Sequence, residues 1–485
     1  MGDSQMEEIS FLSETGTLVA SLRGHKIQPT EQTKSLPTFY RNLEEALDVK
    51  RASDSFYSTL PTAELHGSTA DFCSGDVMSM GRSAEHRAEF LAELSRHPEF
   101  ALGTTSSRLM DGNYGYIEEV ESEIAAFHGA DAGLLVGSGF EANLAIWTTI
   151  PKQGDVIVYD TLVHASTYDG IRQSLAADRV AFPHSDVDAF RDTLREILDT
   201  RPLVRQGKRS VLVAVESVYS MEGDLCPLQE LVEAARDVFQ EHEGGVQFVV
   251  DEAHSGGFLG PGGRGLVCEL ELEKEIAVVM HTFGKAVGAA GGIILGNKSI
   301  RDTVLNFGRA VMFSTAPTFP FVAAIKSGYK VLGTKEQGRQ HVQDMVMLFF
   351  ELLTSHPLWE EAKSRGILSV PLADGWEDRV TQTHLFAIST RPKSFWWLWY
   401  HLLSSSFRTF PVTYPVVPLG QARLRCIIHA HNTEEEVRGF IGAIYAWVQE
   451  MMDIDAGKAA QPVTKAAKEV YEWMRKEQVN GFGMV

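Results

Sequence analysis

From about residue 85 the chain alternates short apolar runs with amphipathic stretches. "SAEHRAEFLAELSRH" has helical spacing and leads into the loop "LGTTSSRLMDGNYG". In "YIEEVESEIAAFHGA", Ile117, Val120, Ile124 and Phe127 recur at the spacing of one helix face. The runs "AGLLVGSG", "DVIVYD", "SVLVAVESV", "VQFVVDEAH", "IAVVMHTFG" and "GGIILG" read as strands, with "FEANLAIWTTI" and "LQELVEAARDVFQEH" as helices among them. Continuous apolar strands separated by amphipathic helices predict an α/β domain with a mainly parallel sheet and right-handed crossovers.

Beyond about residue 325 the pattern changes. The helix "QGRQHVQDMVMLFFELLTSH", strands such as "HLFAIST" and "RLRCIIHA", and the helix "TEEEVRGFIGAIYAWVQEMM" predict a smaller α+β domain. The expected division is an N-terminal extension and arm at 1–84, a large domain at 85–320, a small C-terminal domain at 321–450 and a helical extension at 451–485. Trp396, Trp397 and Trp399 are expected in a helix core rather than as the wall of an acyl-chain site.

Composition narrows the function. A net charge of −20 argues against a nucleic-acid binder, which needs a basic face. Cys73, Cys226, Cys268 and Cys426 show no CxxC or CxxH spacing, so a reducing compartment and no structural metal site are expected. No apolar run reaches the ~18–20 residues of a membrane span. The acidic start "MGDSQMEEIS" lacks signal-peptide character, and Met6 breaks the myristoylation pattern. A cytoplasmic protein is expected.

Three polar clusters fall where the predicted strands end, the position at which parallel sheets bind ligands. In "GSGFEAN", Gly139 permits close approach of backbone, and the following helix offers free N–H groups to an anion. The same residues also suit a plain strand-to-helix turn. In "VVDEAHSGG", Asp251 ends an apolar strand, where a buried carboxylate requires a cation or strong donor, and His254 follows at a spacing that lets both face one site. A capping Asp beside a surface His is the simpler reading. In "HTFGKAVGAAGGI", Lys285 stands among Gly284, Ala286 and Gly288, small residues that leave room for a flat ring. It is a candidate amine nucleophile, or else an exposed loop lysine. Together the clusters supply a Schiff-base lysine, a carboxylate for a pyridinium nitrogen and an anion-binding turn. That is the equipment for pyridoxal 5′-phosphate (PLP).

In order along residues 70–450, "FCSGDVMSMG", "SRLMDG", "GSGFEANLA", "LVHASTYDG", "ESVYSMEGDLCPL", "VVDEAHSGGFLGPGGRG", "HTFGKAVGAAGG", "FSTAPTFP" and "YPVVPLGQARLRCIIHA" resemble the α-oxoamine synthases, fold-type I PLP enzymes. The resemblance implies that Lys285 carries PLP and moves protons at the substrate Cα. It implies that Asp251 pairs with the ring nitrogen, His254 with the phenolic oxygen, and His164 with the ring face, with Ser220 alongside. Ser138, Gly139, Phe140 and Thr282 would hold the phosphate. Ser314 and Thr315 would reach the phosphate of a second subunit, implying a homodimer. Arg423 would bind the amino-acid carboxylate, with Arg425 on the same strand face, and Arg108 is a further substrate candidate. The implied reaction condenses an amino acid with an acyl thioester, on CoA or a carrier protein, with loss of CO2.

Three departures fall where the resemblance implies substrate is handled, while the cofactor residues are intact. The family's N-D-Y-L-G reads "GDVMS", putting Gly75 for asparagine and Val77 for tyrosine; a family histidine falls at Ile117; and a Gly-rich loop reads "GTTSS". A changed substrate follows, in a specialised or secondary-metabolic relative. An aminotransferase or a PLP lyase or aldolase stays open as an alternative. A non-catalytic synthase subunit would be expected to lack Lys285, and no GxGxxG supports a dinucleotide site.

Overall fold

The computed structural model describes residues 34–53, 55–56, 69–240, 245–477, 479 and 481–484. The opening decapeptide and most of the expected N-terminal arm lie outside them. The chain divides into two compact units: Gly75–Val342 with His429–His431, and the segments Met1–Ser74, Gln343–Ile428 and Asn432–Val485.

The second of these units has the helix Thr38–Ala52 and then its first strand, β1 (Ala70–Asp71), and the first unit carries β2 (Ala132–Val136), β3 (Val156–Asp160), β4 (Asp178–Phe182), β5 (Val211–Glu216), β6 (Val246–Asp251), β7 (Ile276–Thr282) and β8 (Gly292–Gly296). β2 to β8 form one sheet in the order β2-β8-β7-β6-β5-β3-β4. Every strand runs the same way except β8, which pairs antiparallel with both β7 and β2. The short connection from Thr282 to Gly292 turns the chain straight back, too short for the crossover that parallel pairing needs. β4, "DRVAF", alternates in exposure as an edge strand does, so it lacks the continuous apolar run of its neighbours.

Both faces of the sheet are covered, which is why the central strands are apolar throughout. Val156, Val158, Val213 and Val250 pack with Phe190, Leu194 and Leu231 on one face. Ile157, Ala214, Val249, Met280 and Ile294 pack with Ile146 and Trp147 on the other. Burying each such side chain is worth roughly 1.5–3 kcal/mol against leaving it in water. Continuing the alternation on this second face brings Glu216, Asp251 and Thr282 to the carboxyl ends of β5, β6 and β7.

The other unit holds β9 (Leu385–Ile388), β10 (Phe407–Arg408), β11 (Phe410–Val412) and β12 (Arg423–Ile427). β11, β12 and β9 make an antiparallel sheet in that order, and β1 pairs in parallel with β10. Trp396 and Trp397 are buried in the helix Ser394–Ser404, where Trp397 Nε1 donates to Tyr471 Oη at 2.7 Å, so these two are core residues, as expected. Among the described residues no helix is long and apolar enough to cross a membrane.

Candidate active site

Lys285 follows β7 in a loop closed by its own backbone: Phe283 N–H donates to Gly291 O and Gly288 N–H to Lys285 O, both at 2.9 Å. Its Nζ lies 2.8 Å from Nε2 of His254. The small residues around it answer first to backbone packing. A Cβ on Gly288, whose φ is +67°, would lie 2.7 Å from the backbone of Gly81. A Cβ on Gly257 would meet that of Ala286 at 2.6 Å. The expectation that these residues are small to admit a ring is therefore only part of their explanation; Gly288 and Ala286 are small because other chain segments press against them.

Asp251, buried at the end of β6, accepts the side-chain amide of Asn143 at 2.7 Å and the backbone N–H of Ala253 at 2.9 Å. Asn143 sits on the helix Gly139–Thr149 and also donates to Ser166 Oγ at 3.0 Å. Ser166 in turn contacts Nδ1 of His164 through its hydroxyl (2.7 Å) and its backbone N–H (3.2 Å). The N–H must donate, so Nδ1 is an acceptor and the proton of the neutral ring sits on Nε2. Burial holds the His164 pKa below its usual value; Asp251 opposes that shift and Lys285 adds to it. One chain of contacts thus joins His164, Ser166, Asn143 and Asp251.

Glu216 is in register with Asp251 on the adjacent strand, and its Oε1 has no hydrogen-bond partner among the described residues. Burial pushes its pKa well up, Asp251 adds to the shift and Lys285 opposes it. Two carboxyl groups so placed cannot both ionise cheaply, so Glu216 is the neutral one.

At the end of β2, Ser138 caps the helix Gly139–Thr149 by accepting from Glu141 N–H at 3.1 Å. A Cβ on Gly139 would come within 2.8 Å of Thr282 Cβ, so the glycine lets Thr282 lie against the helix N-terminus. Phe140 is exposed in the first turn. Ser220 stands in a loop closed by the bridge between Val218 and Leu225. Ser314 and Thr315 are exposed beyond the short helix Arg309–Met312.

Arg108 is buried, and its guanidinium meets both carboxylate oxygens of Glu121 at 2.6 and 3.0 Å and Asn113 Oδ1 at 2.7 Å. Glu121 also accepts from Leu135 N–H at 2.8 Å. These contacts tie Arg108 to Glu121 and, through it, to β2. Arg423 belongs to the other unit, where its Nε donates to Gln421 O at 3.0 Å. Of the departures noted in the sequence, Val77 and Ile117 are buried core residues. Gly75 borders the lysine, since a Cβ there would sit 3.4 Å from Lys285 Cγ.

Asn143, Ser166 and Glu216 were not singled out from the sequence. The signal for Glu216 was available: it ends an apolar strand just as Asp251 does. Asn143 lies in a helix whose other residues read as ordinary packing, and nothing local marks it.

The donor set fits PLP: an amine against an imidazole, a buried carboxylate in need of a cationic partner, and a helix N-terminus opened by Gly139 beside a threonine hydroxyl. The model of aminotransferase class I and II matches residues 71–444. The chain is 47% identical over 445 residues to an aminoacyl transferase sphA of Byssochlamys spectabilis, spanning 91% of this chain and 94% of that one. It is 38% identical to an 8-amino-7-oxononanoate synthase of Emericella nidulans, over 80% and 91% of the two chains. Its fold is similar to that of a Sphingomonas wittichii serine palmitoyltransferase, with a TM-score of 0.65, 28% identity and coverage of 78% and 86%. The chain belongs to the aminotransferase class I and II family and, within it, to the α-oxoamine synthases, PLP-dependent enzymes that join an amino acid to an acyl group with loss of CO2.

Proposed function

We propose that this α-oxoamine synthase works in specialised metabolism, as a cytoplasmic homodimer that takes its acyl group from a thioester of CoA or a carrier protein. The observation that carries the assignment of the site is the convergence of Lys285, His254 and the Asp251–Asn143 pair at one end of the sheet. The four free cysteines suit a reducing compartment. Exposed Ser314 and Thr315 suit contact with a second subunit, and the likeness to an aminoacyl transferase named apart from the biotin-type synthases suits a specialised pathway.

PLP, when bound, supplies an electron sink for a carbanion at the amino-acid Cα. The protein's own groups do the rest. Lys285 carries the cofactor and moves the Cα proton, and His254 receives a hydrogen bond from its amine when that amine is free. Asp251 would face the ring nitrogen, its orientation fixed by Asn143. His164, neutral and with its Nε2 protonated, would lie at the ring face. Neutral Glu216 adds a carboxylic acid, able to donate a hydrogen bond, without adding a second negative charge beside Asp251. Thr282 and the N–H groups at Gly139 and Phe140 hold the phosphate, with Ser138 shaping the turn and Ser220 beside the ring. Arg423 takes the substrate carboxylate.

The test is an absorption spectrum of wild type and Lys285→Ala with added PLP, followed by glycine, alanine or serine in turn and then an acyl-CoA. A visible band in the wild type, changed by one amino acid and lost in the variant, with free thiol and CO2 released together, is the expected result. Release of an α-keto acid without thiol would make the protein an aminotransferase. No band after added PLP would end the catalytic reading.

A further inference from the structure

Two loops at the sheet's carboxyl end bring side chains toward the proposed cofactor. One leaves β3 at Asp160 and delivers His164; the other leaves β5 at Glu216 and carries Ser220. His184, from the turn after β4, lies between them. Its Nδ1 is 3.0 and 3.1 Å from the two carboxylate oxygens of Asp160, and its Nε2 is 2.9 Å from Asp224 Oδ2. We propose that His184 is a positioning residue: it ties the loop of His164 to the loop of Ser220 and thereby fixes both against PLP. The proposal deepens the PLP reading and rests on it.

The chemistry of the contact is specific. A carboxylate only accepts, so each ring nitrogen of His184 must carry a proton, and the ring is an imidazolium. Burial works against that charge; the hydrogen bonds to Asp160 and Asp224 outweigh it and raise the pKa to about 10. Asp160 is fully buried and also accepts the N–H groups of Leu162 and Ser185, both at 2.8 Å, which locks the exit of β3. Asp224 closes the Ser220 loop through its carbonyl, which accepts Tyr219 N–H at 3.1 Å. The ring of Tyr219 stands edge-on to His184, with centroids 4.5 Å apart. Ser185 holds a φ of +54°, a conformation that a residue with a side chain adopts when its surroundings dictate it. A fold-holding pin alone would not need to end on both cofactor-facing loops; the two carboxylates that His184 joins, Asp160 and Asp224, stand four residues from His164 and four from Ser220 respectively.

The experiment titrates PLP into the full-length protein freed of cofactor, comparing wild type, His184→Leu, Asp224→Asn and Phe190→Leu. Phe190 is a core residue of the same unit and serves as the control for a general loss of stability. PLP affinity and the visible circular-dichroism band are read together with Tm. His184→Leu is expected to weaken PLP by about 10-fold or more, the scale of one lost charge-assisted hydrogen bond, and to change the visible band. Phe190→Leu is expected to lower Tm while leaving affinity and band in place. If His184→Leu behaves like Phe190→Leu, His184 is a structural pin and the proposal is overturned. If His184→Leu does not fold, Asp224→Asn decides: weaker PLP with an altered band supports the tie, and an unchanged band and affinity overturn it. A wild-type chain that takes up no PLP would overturn the functional reading, and this inference with it.

Discussion

Asn143 donates one side-chain amide group to two buried acceptors, Asp251 Oδ2 at 2.7 Å and Ser166 Oγ at 3.0 Å. This makes Asn143 the joint between the carboxylate proposed to face the cofactor ring and the histidine proposed to cover it. Replacing it with leucine leaves both acceptors buried without that donor, at a cost of about 1–3 kcal/mol for each group left unsatisfied. Asn143→Leu is therefore expected to lower Tm and to weaken PLP. Chemical denaturation and a PLP titration check the two effects, and a variant that retains wild-type PLP affinity would show that the joint does not orient Asp251.

The contribution of Glu252 to stability is expected to fall as pH rises through the weakly acidic range. Glu252 is buried, and burial raises its pKa from 4.5 to about 7; hydrogen bonds from Val267 N–H and the Ser255 hydroxyl oppose the shift. Between those two values the folded chain holds a proton that the unfolded chain releases, so the linkage slope is negative there. Below pH 4.5 both states are protonated and the penalty is absent; above pH 7 it is complete. Glu252→Gln keeps the shape and the Oε1 acceptor but removes the proton. The stability of the variant relative to the wild type should rise between pH 5 and pH 7.5 in denaturation curves, and a gap that stays constant would refute this assignment.

How far the site was legible depended on whether a residue's purpose was local. Asp251, His254 and Lys285 each follow a strand in a stretch whose polarity breaks an apolar run, so they could be picked out as candidates before any contact was known. Asn143 and Ser166 act only because the helices carrying them pack beside β6, and that packing leaves no periodic mark. The pairing of Arg108 was hidden for the same reason: nothing in the loop sequence shows that Glu121, from the following helix, meets it. In the fold, the apolar runs of β3, β5, β6 and β7 announced buried parallel strands. The reversed direction of β8 follows from the brevity of the lysine loop, and the edge position of β4 from its exposure. Neither property is carried by hydrophobicity alone.

The Arg108–Glu121 pair yields a test that separates architecture from substrate binding. Removing one partner of a buried ion pair strands the other charge, typically at a cost of 3–5 kcal/mol, whereas replacing both with apolar residues is often close to neutral. Arg108→Ala should thus be strongly destabilised, with Arg108→Met combined with Glu121→Leu recovering most of the loss in a denaturation series. If the double variant recovers stability but the KM for the amino acid rises sharply, Arg108 meets substrate after all.

Gly288 offers the sharpest test of why the lysine loop is built from small residues. At a φ of +67° a side chain is already strained, by about 1–3 kcal/mol. A Cβ would in addition lie 2.6 Å from Met80 Cβ and 2.7 Å from Gly81 N, and backbone cannot swing aside as a long side chain can. Because Gly288 N–H donates to Lys285 O, displacement of residue 288 is transmitted to the lysine. Gly288→Ala is expected to lose at least about 2 kcal/mol of stability through strain and overpacking together. It should also slow formation of the visible PLP band, read by stopped-flow absorbance. Gly284→Ala makes the comparison, since a Cβ there would meet nothing closer than Ala289 O at 3.9 Å. If packing governs the loop, the two variants separate widely; equal impairment of both would return the explanation to space needed by the cofactor itself.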